Sequence, residues 1–167
     1  MGAIRVFLVS SMDGYYLPLN LQRLHGFEVA DYENLYQDAN IILTTLGGYA
    51  KLENKESNKK KQMYKVNKDR SLLPYDNDDT NTDEVMTIEK IKGEKKGSVL
   101  VIGNDNKLNN YLFEKNWVDE IILCQFPLVL GKGRRSFPAI ADSRCWDVKG
   151  YQFFEKGITM IVYEKIN

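Results

Sequence analysis

One unbroken segment, residues 97–138, restricts the fold of this chain more than any other feature. Its first apolar run, Val99–Ile102, stops at Gly103 and predicts a buried strand that ends in a tight turn. A later apolar run, residues 121–129, predicts a second strand, which ends at the hairpin signal Gly131-Lys132-Gly133. The residues between the two strands carry the spacing of a helix, so the segment is expected to form strand, turn, helix, strand and hairpin in order.

The turn at Gly103 is the first place to look for function. Asn104 and Asp105 follow it and offer side chains that cap a helix. Beyond them, the spacing predicts a helix that contains Leu108, Tyr111, Leu112 and Lys115. Unpaired N–H groups and the helix dipole both attract anions where a helix begins, so we expect a dinucleotide phosphate site at this turn.

The remaining patterns predict further strands and one more helix. Before the segment, strands are predicted at residues 3–9 and 41–45, with a turn at Asp13-Gly14 and a helix at residues 27–36 between them. After it, residues 146–154 and 158–165 predict an antiparallel hairpin. We therefore expect an α/β fold, with a mixed and mostly parallel sheet, an antiparallel C-terminal hairpin at one edge and helices on both faces.

Size and charge narrow the classes of function. The chain has 167 residues, enough for one domain over residues 1–167 that needs neither disulfides nor metal. Its 23 basic and 23 acidic residues cancel, which removes the electrostatic reason to expect nucleic acid or an anionic membrane as partner. The N-terminal apolar run is too short for a signal peptide or a membrane span. We expect a cytoplasmic protein that acts on a small molecule.

The histidine and cysteine residues do not indicate metal chemistry. His25 is the single histidine of the chain and cannot anchor a multi-histidine metal site. Cys124 lies in an apolar strand pattern and Cys145 precedes a tryptophan. Both cysteines are interpreted as reduced core residues.

Residues 51–84 form a charged segment whose two halves differ in sign. Residues 51–70 hold eight basic and three acidic side chains, whereas residues 74–84 hold five acidic and no basic ones. One interpretation is a solvated insertion whose arms face water or each other. The alternative is a phosphate pocket formed by Arg70 with Lys65 or Lys68.

Four stretches of the chain match one known pattern in the same order. They are SSMDGYY at residues 10–16, a strand that leads into a glycine turn near residue 45, VLVIGNDNKL at residues 99–108, and DEIILCQFPLVLGKGRRSFP at residues 119–138. Together they resemble the dihydrofolate reductase fold. Within that fold the chain is most similar to the C-terminal reductase domain of the bacterial riboflavin-biosynthesis deaminase/reductase, over about residues 4 to 165. The most specific match is a proline, three apolar residues, G-x-G and a phenylalanine, at Pro127 to Gly133 and Phe137.

The resemblance implies an NADPH-dependent reductase that passes a hydride to a small heterocyclic substrate. In the riboflavin enzyme that substrate is a ribosylaminopyrimidine phosphate whose sugar is reduced. The protein then holds two planar groups face to face, excludes water and steers a proton.

The resemblance also assigns residues near the N-terminus. Ser11 and Asp13 match the family's S-x-D-G loop, which lies against the nicotinamide and the substrate. This assigns Ser11 to the cofactor and Asp13 to catalysis, where it orients a substrate amine or ribose, although Asp-Gly is also an ordinary turn. Dihydrofolate reductases use an acidic residue of the first helix in protonation. Glu28 or Asp31 is the candidate here, with exposed helix carboxylates as the alternative.

The chain departs from the family at both phosphate-binding turns. Family members usually carry G-R-x-T after the second strand, whose arginine and threonine hold cofactor phosphates. Here the sequence offers Thr45 and Gly47 to the cofactor but no arginine. At the second turn Gly103 is kept, whereas Asn104 replaces a glycine and Asp105 adds a negative charge where a phosphate is expected.

The altered phosphate-binding turns are expected to weaken cofactor binding substantially, and other cations of the chain can offset this weakening. Removing one charged donor and one hydroxyl costs roughly 2 to 4 kcal/mol of binding. Lys107, Lys51 and Arg70 are the candidates to compensate. Arg70 follows Asp69 where the family often has a serine-arginine pair that contacts the 2′-phosphate. That match requires a strand over residues 62–67.

Two hypotheses of different class follow. The first is an NADPH-dependent reductase, with NADH and the identity of the substrate left open. The second is a catalytically degenerate member of the fold that binds another ligand or a protein partner. The family also implies a homodimer, and the apolar C-terminal strands are the candidate surface.

Overall fold

The computed structural model of the chain describes residues 2–28, 32–44, 61–67, 70–74, 86–94, 97–103, 106–139 and 143–167. Within these residues the strands are β1 (Ile4–Ser10), β2 (Ile41–Thr44), β3 (Gln62–Val66), β4 (Leu72–Pro74), β5 (Val99–Ile102), β6 (Glu120–Gln125), β7 (Trp146–Phe153) and β8 (Thr159–Lys165). The helices are α1 (Leu19–Leu24), α2 (Glu33–Tyr36), α3 (Ile88–Glu94) and α4 (Asn106–Glu114), and a 3-10 turn covers Glu155–Gly157.

The strands form one mixed sheet in the order β4-β3-β2-β5-β1-β6-β8-β7. The pairs β1–β5, β1–β6, β2–β5 and β2–β3 are parallel. The hairpin β7–β8 is antiparallel and joins β6 at one edge. This confirms the expected fold class. Because β1, β2, β3, β5 and β6 run in one direction, their carboxyl ends meet at the same edge of the sheet.

The three central strands are apolar because both of their faces are covered. β2 and β5 are buried at every position, and so is β1 except at Arg5. α1 and α2 contribute to the core on one face, whose largest side chains are Phe27, Tyr36 and Phe126. α3 and α4 contribute to the core on the other face through Ile88, Ile91, Leu108, Leu112 and Phe113. Helices on both faces are confirmed.

The helix predicted at residues 27–36 is only partly correct. Helix forms earlier, at α1, and then at α2, and Phe27 lies in neither. The aromatic spacing that suggested a helix instead builds a ring cluster. The Phe27 and Tyr32 rings stack with centroids 4.8 Å apart, and Phe126 meets Phe27 edge-on at 5.5 Å. α3 was not predicted.

The helix after Gly103 is confirmed as α4, but Lys115, which was predicted to belong to it, lies one residue beyond its end. That end has a local cause. α4 stops because Asn116 adopts a left-handed backbone with φ 56°. The Asn116 N–H donates to the Phe113 carbonyl at 3.0 Å, and the Trp117 N–H donates to the Leu112 carbonyl at 2.9 Å. These two bonds form a Schellman motif, which satisfies the last carbonyls of the helix.

Two other sequence-based expectations need correction. The strand predicted at residues 121–129 ends at Gln125, because Pro127 has no N–H with which to continue the ladder. Cys124 is buried as expected, but Cys145 is exposed and is not a core residue.

The charged segment at residues 51–84 is not a purely solvated insertion. Within it, β3 pairs with β2, and β4 pairs antiparallel with β3 at the outer edge. Tyr64, Val66 and Leu72 are buried in the core beside α3. Residues 51–60, 68–69 and 75–84 lie outside the described residues. The strand that the Arg70 match required is therefore present as β3, whereas β4 was not predicted.

No helix in the described part of the chain has the length and apolar character that crossing a membrane requires.

Candidate functional site

The loop that follows β1 is fastened to the loop that follows β6. The Met12 N–H donates to the Leu128 carbonyl at 2.8 Å, and within the first loop the Ser11 N–H donates to the Tyr15 carbonyl at 2.8 Å. The Ser11 hydroxyl accepts the Tyr15 N–H at 3.0 Å. Both loops lie at the carboxyl edge of the sheet, since β1 and β6 are parallel neighbours. Ser11 and Asp13 are thus held in a fixed backbone.

The Asp13 carboxylate is the centre of this connection. One oxygen accepts the Ser11 hydroxyl at 2.6 Å and the Leu130 N–H at 3.1 Å, and the other accepts the Gly131 N–H at 2.7 Å. The hydrogen bond from Ser11, with those from Gly131 and Leu130, outweighs desolvation and lowers the pKa of Asp13 to about 2. Asp13 is therefore an anion at neutral pH, with three donors from the protein.

The glycine hairpin needs its glycines for backbone reasons. Gly131 and Gly133 have φ of 73° and 133°, in the left-handed range that favours glycine. Beyond them, the Arg134 carbonyl accepts the Tyr16 N–H at 2.7 Å, and the Ser136 N–H donates to the Gly14 carbonyl at 3.0 Å. The buried Ser136 hydroxyl donates to the Val9 carbonyl at 2.9 Å. The hairpin is thus tied back to β1 itself.

Two arginines of this hairpin pack on two tyrosines of the first loop. The Arg134 guanidinium lies 5.3 Å from the centroid of Tyr16, and that of Arg135 lies 4.9 Å from the centroid of Tyr15. Arg135 also donates to the Asp13 carbonyl at 3.3 Å. Burial raises the pKa of the Tyr16 hydroxyl, so Tyr16 is neutral at ordinary pH. Two doublets in the sequence mark this group, namely two tyrosines after Asp13-Gly14 and two arginines after the glycine hairpin.

The second candidate region is the turn from β5 to α4. Gly103 directly follows β5 and has a φ of 120°, a backbone conformation that residues with a Cβ rarely adopt. Lys107 is exposed in the first turn of α4. Asn104 and Asp105, which were expected to cap this helix, lie outside the described residues. The Gly103 turn and the Ser11 loop share one edge, because Phe7 of β1 pairs with Ile102 of β5 in parallel register.

Arg70 reaches α4 from the hairpin between β3 and β4. Its backbone is left-handed with φ 70°, and its guanidinium lies 4.1 Å from the centroid of the Tyr111 ring on α4. The Tyr111 hydroxyl donates to a Glu89 carboxylate oxygen at 2.5 Å. That bond raises the pKa of Tyr111. Arg70 is therefore a fixed cation beside the helix whose first turn carries Lys107.

The structure brings together some of the predicted site residues. Ser11 and Asp13 form one group, and Gly103, Lys107 and Arg70 lie on or beside α4. Thr45, Gly47 and Lys51 lie outside the described residues, as does Asp31. Glu28 forms an ion pair with Arg23 at 3.0 Å. Within the described chain, no group of three or more histidine, cysteine, aspartate or glutamate side chains is placed to hold a metal ion.

The donors at this edge fit a nucleotide phosphate better than a metal. They are a glycine turn, the start of a nine-residue helix and the cations Lys107 and Arg70. A helix start and a planar guanidinium both favour phosphate oxygens. Donors of these kinds bind phosphate groups in other proteins.

Comparison with known proteins gives the family of the chain. The family model of the RibD C-terminal domain matches residues 33–160. A search of curated proteins finds no match. Among solved structures, a putative riboflavin biosynthesis protein from a Shewanella species superposes with a TM-score of 0.69 and 15% identity, covering 99% of both chains.

Two further structures show how widely this fold is shared. A Thermotoga maritima diaminohydroxyphosphoribosylaminopyrimidine deaminase/5-amino-6-(5-phosphoribosylamino)uracil reductase gives a TM-score of 0.63 at 10% identity, with 99% of this chain and 57% of that one covered. Enterococcus faecalis dihydrofolate reductase, complexed with NADP(H), gives 0.57 at 16% identity, covering 99% and 98%. The chain has the dihydrofolate reductase-like fold and belongs to the family of the RibD C-terminal domain, a reductase-like family of the riboflavin biosynthesis type.

Proposed function

We propose that this chain is an NADPH-dependent reductase that transfers a hydride to a small heterocyclic substrate. The observation that carries the proposal is the shared edge of the sheet. There the Ser11–Gly14 loop, fixed by Asp13, lies at the same edge of the sheet as the Gly103 turn in a member of the RibD C-terminal domain family. One group of residues is available to a substrate and the other to a dinucleotide.

The coenzyme would be held by residues around α4. Gly103 has no side chain to hinder the approach of a phosphate, and Lys107 adds a positive charge in the first turn of α4. Arg70 is the candidate for the 2′-phosphate that distinguishes NADPH from NADH, because Tyr111 holds its guanidinium in place. The nicotinamide supplies the hydride when it is bound.

The chain's own residues then prepare the reaction site. Asp13 is charged and fixes the loop that would lie against the substrate, so the loop enters the complex already ordered. Arg134, Arg135 and Lys132 are exposed along the neighbouring hairpin and make this edge positive. A positive edge suits a substrate that carries a phosphate, such as the phosphoribosylaminouracil in the name of the Thermotoga enzyme.

A second candidate function is ligand binding without turnover. It is favoured by the Asp13 carboxylate, which already accepts three hydrogen bonds from the protein. It is also favoured by the sequence at 104–105, where Asn104 replaces a glycine of the family pattern and Asp105 adds a negative charge where a phosphate is expected.

Thermal unfolding in the presence of nucleotides tests the first proposal. NADPH at about 1,000 times its dissociation constant should stabilise the protein by about 4 kcal/mol, and NADH at the same concentration should stabilise it less. Arg70→Ala should weaken NADPH binding by about tenfold to a hundredfold and leave NADH binding unchanged, since a charge-assisted hydrogen bond is worth about 1.5 to 3 kcal/mol.

The control is Arg23→Ala, which removes an exposed arginine that pairs with Glu28. It should not change the preference for NADPH. Absence of stabilisation by either nucleotide would contradict the reductase proposal and favour the second candidate. Stabilisation by NADPH with an unchanged preference in Arg70→Ala would remove only the role of Arg70. Oxidation of NADPH, followed by absorbance with phosphoribosylaminouracil as substrate, then separates binding from turnover.

A further inference from the structure

A cavity of about 500 Å³ lies between α2 and the C-terminal hairpin. Leu35 and Asn34 of α2 line one side, and β7 and β8 line the other. Its lining contains none of the residues assigned above to coenzyme or substrate. Its volume falls within the usual range of about 300 to 1,000 Å³ for small-molecule sites.

The floor of the cavity is one face of the β7–β8 pair. Gly150 pairs with Val162 and Gln152 pairs with Met160, so these four residues share that face of the sheet. Met160 is buried in the core, and Val162 packs against it. The floor is therefore apolar, with one carboxamide at Gln152.

Gly150 leaves space above this floor. It follows an irregularity in the β7 register between Val148 and Gly150, and its φ lies outside the left-handed range. A Cβ built at Gly150 meets no atom within 4 Å. Backbone geometry therefore does not require glycine here, and glycine weakens a strand. Glycine in a strand often marks a place where a ligand approaches closely, and the open space at Gly150 is of that kind.

The wall of the cavity is aromatic. Tyr32 and Phe154 both line it, and their rings meet edge to face with centroids 4.6 Å apart. Tyr32 also stacks on Phe27, so its ring is supported from behind. A fixed ring pair of this kind favours a planar π-system.

The polar groups at the rim are neutral. Asn34 and Gln152 are exposed, and each carboxamide offers both a donor and an acceptor. Within the described chain, no charged side chain lines the cavity. A carboxamide pair recognises a ligand edge that itself holds a donor beside an acceptor, and the absence of charge in this lining does not favour an ion.

We propose that this cavity binds a neutral, planar heterocycle of one or two fused rings that carries an amide-like edge. The rings pack against Tyr32 and Phe154 above the space at Gly150, and the amide-like edge meets Asn34 and Gln152. The site is separate from the carboxyl-edge site and does not depend on the reductase proposal.

Quinazolin-4(3H)-one is a suitable probe, because it is neutral, has two fused rings and carries a cyclic amide. Cyclohexanecarboxamide is the comparator, with an amide but no aromatic ring. Each is titrated into nitrogen-15-labelled protein, and backbone amide resonances are followed by two-dimensional NMR. Quinazolinone should shift the amides of Leu35, Gly150 and Gln152 in a saturable way and leave those of Asp13 and Gly103 in place. The comparator should bind at least about tenfold more weakly.

Gly150→Leu is the matched variant, since its side chain would occupy the cavity without backbone strain. It should weaken quinazolinone binding by at least about tenfold. Gly93→Leu is the control. Gly93 also has no atom within 4 Å of a built Cβ and an ordinary φ, but it lies in α3 on the other face. If Gly150→Leu fails to fold, Gly150→Ala should still give a smaller loss of affinity.

Four results would overturn the proposal. They are quinazolinone-induced shifts confined to Asp13 and Gly103, quinazolinone affinity in the Gly150 variants equal to that of the wild type, cyclohexanecarboxamide affinity equal to that of quinazolinone, and the absence of any saturable shift. A fifth is a change in the Asn34 and Leu35 resonances with protein concentration alone, which would show that a second copy covers the cavity. A titration with NADPH, which tests the reductase proposal, is followed at the amide resonances of Gly103 and Asp13. Its outcome is therefore distinguishable from these five results.

Discussion

The carboxylate of Asp13 joins two loops that are more than a hundred residues apart in the chain. Its two oxygens accept the N–H groups of Leu130 and Gly131, which lie 117 and 118 positions later in the chain. No local sequence pattern reveals these hydrogen bonds. The doublet Asp13-Gly14 predicted a turn, and the turn is present with Gly14 at φ 87°. The sequence does not predict which groups the carboxylate binds, because a carboxylate in a turn has the same sequence pattern whether it faces water, substrate or another loop. The catalytic role of Asp13 stays a prediction.

Asp13→Asn tests whether this carboxylate stabilises the fold through its charge. The folded pKa of about 2 lies below the ordinary value of 3.8, so the stabilisation is complete above pH 3.8 and is lost as the pH falls through about 2. The variant should unfold at a lower urea concentration than the wild type above pH 3.8, and this difference should shrink towards pH 2. Because both proteins contain the same other carboxylates, the difference between the two proteins is assigned to position 13. A difference that stays constant over this range would contradict the assignment.

At the scale of elements, the sequence predicts strands well and short helices poorly. β1, β2, β5, β6 and the C-terminal hairpin were predicted because long apolar or alternating runs mark them. α3 was missed because its seven residues, IEKIKGE, bury only Ile88 and Ile91. β4 was missed because it has three residues and ends in a proline. Such elements are stabilised by the sheet and helices around them, and their own propensity gives little signal.

The left-handed residue at the end of α4 gives a test of element stability. Asn116→Ala should destabilise the protein by about 1 kcal/mol, because alanine tolerates a positive φ less well than asparagine. Asn116→Gly should be neutral or stabilising, since glycine adopts this conformation without a steric cost. Urea unfolding of both variants measures the two effects. Equal destabilisation by alanine and glycine would indicate that the asparagine side chain, and not its backbone, matters here.

At the scale of the whole molecule, the outer surface of β7 is unusual. Val148, Tyr151 and Phe153 pair with Tyr163, Ile161 and Thr159, so they share the face of the strand pair opposite Gly150 and Gln152. Tyr151 also contributes to the lining of the cavity. They are 60%, 72% and 72% exposed, and β7 is the last strand of the sheet. Among the described strands none pairs with the outer edge of β7, and exposed aromatic side chains beside such an edge are typical of an interface.

We propose that this face joins two copies of the chain into a homodimer. Sedimentation of the wild type should give a dimer, and the double substitution Tyr151→Asp with Phe153→Asp should give a monomer of unchanged circular dichroism, since both side chains are exposed. Leu24→Asp replaces another exposed apolar side chain, on α1, and should leave the dimer intact. A wild type that sediments as a monomer, or a double variant that sediments as a dimer, would contradict the proposal.

The two cysteines also differ in a way that has practical use. Cys124 is fully buried, and burial raises the pKa of its thiol to about 12, so reagents neither reach it nor find a thiolate there. Cys145 is exposed immediately before β7. A maleimide dye would therefore attach at position 145 alone in the natural sequence, and energy transfer between dyes on two copies would report the distance between their hairpins without any engineered cysteine.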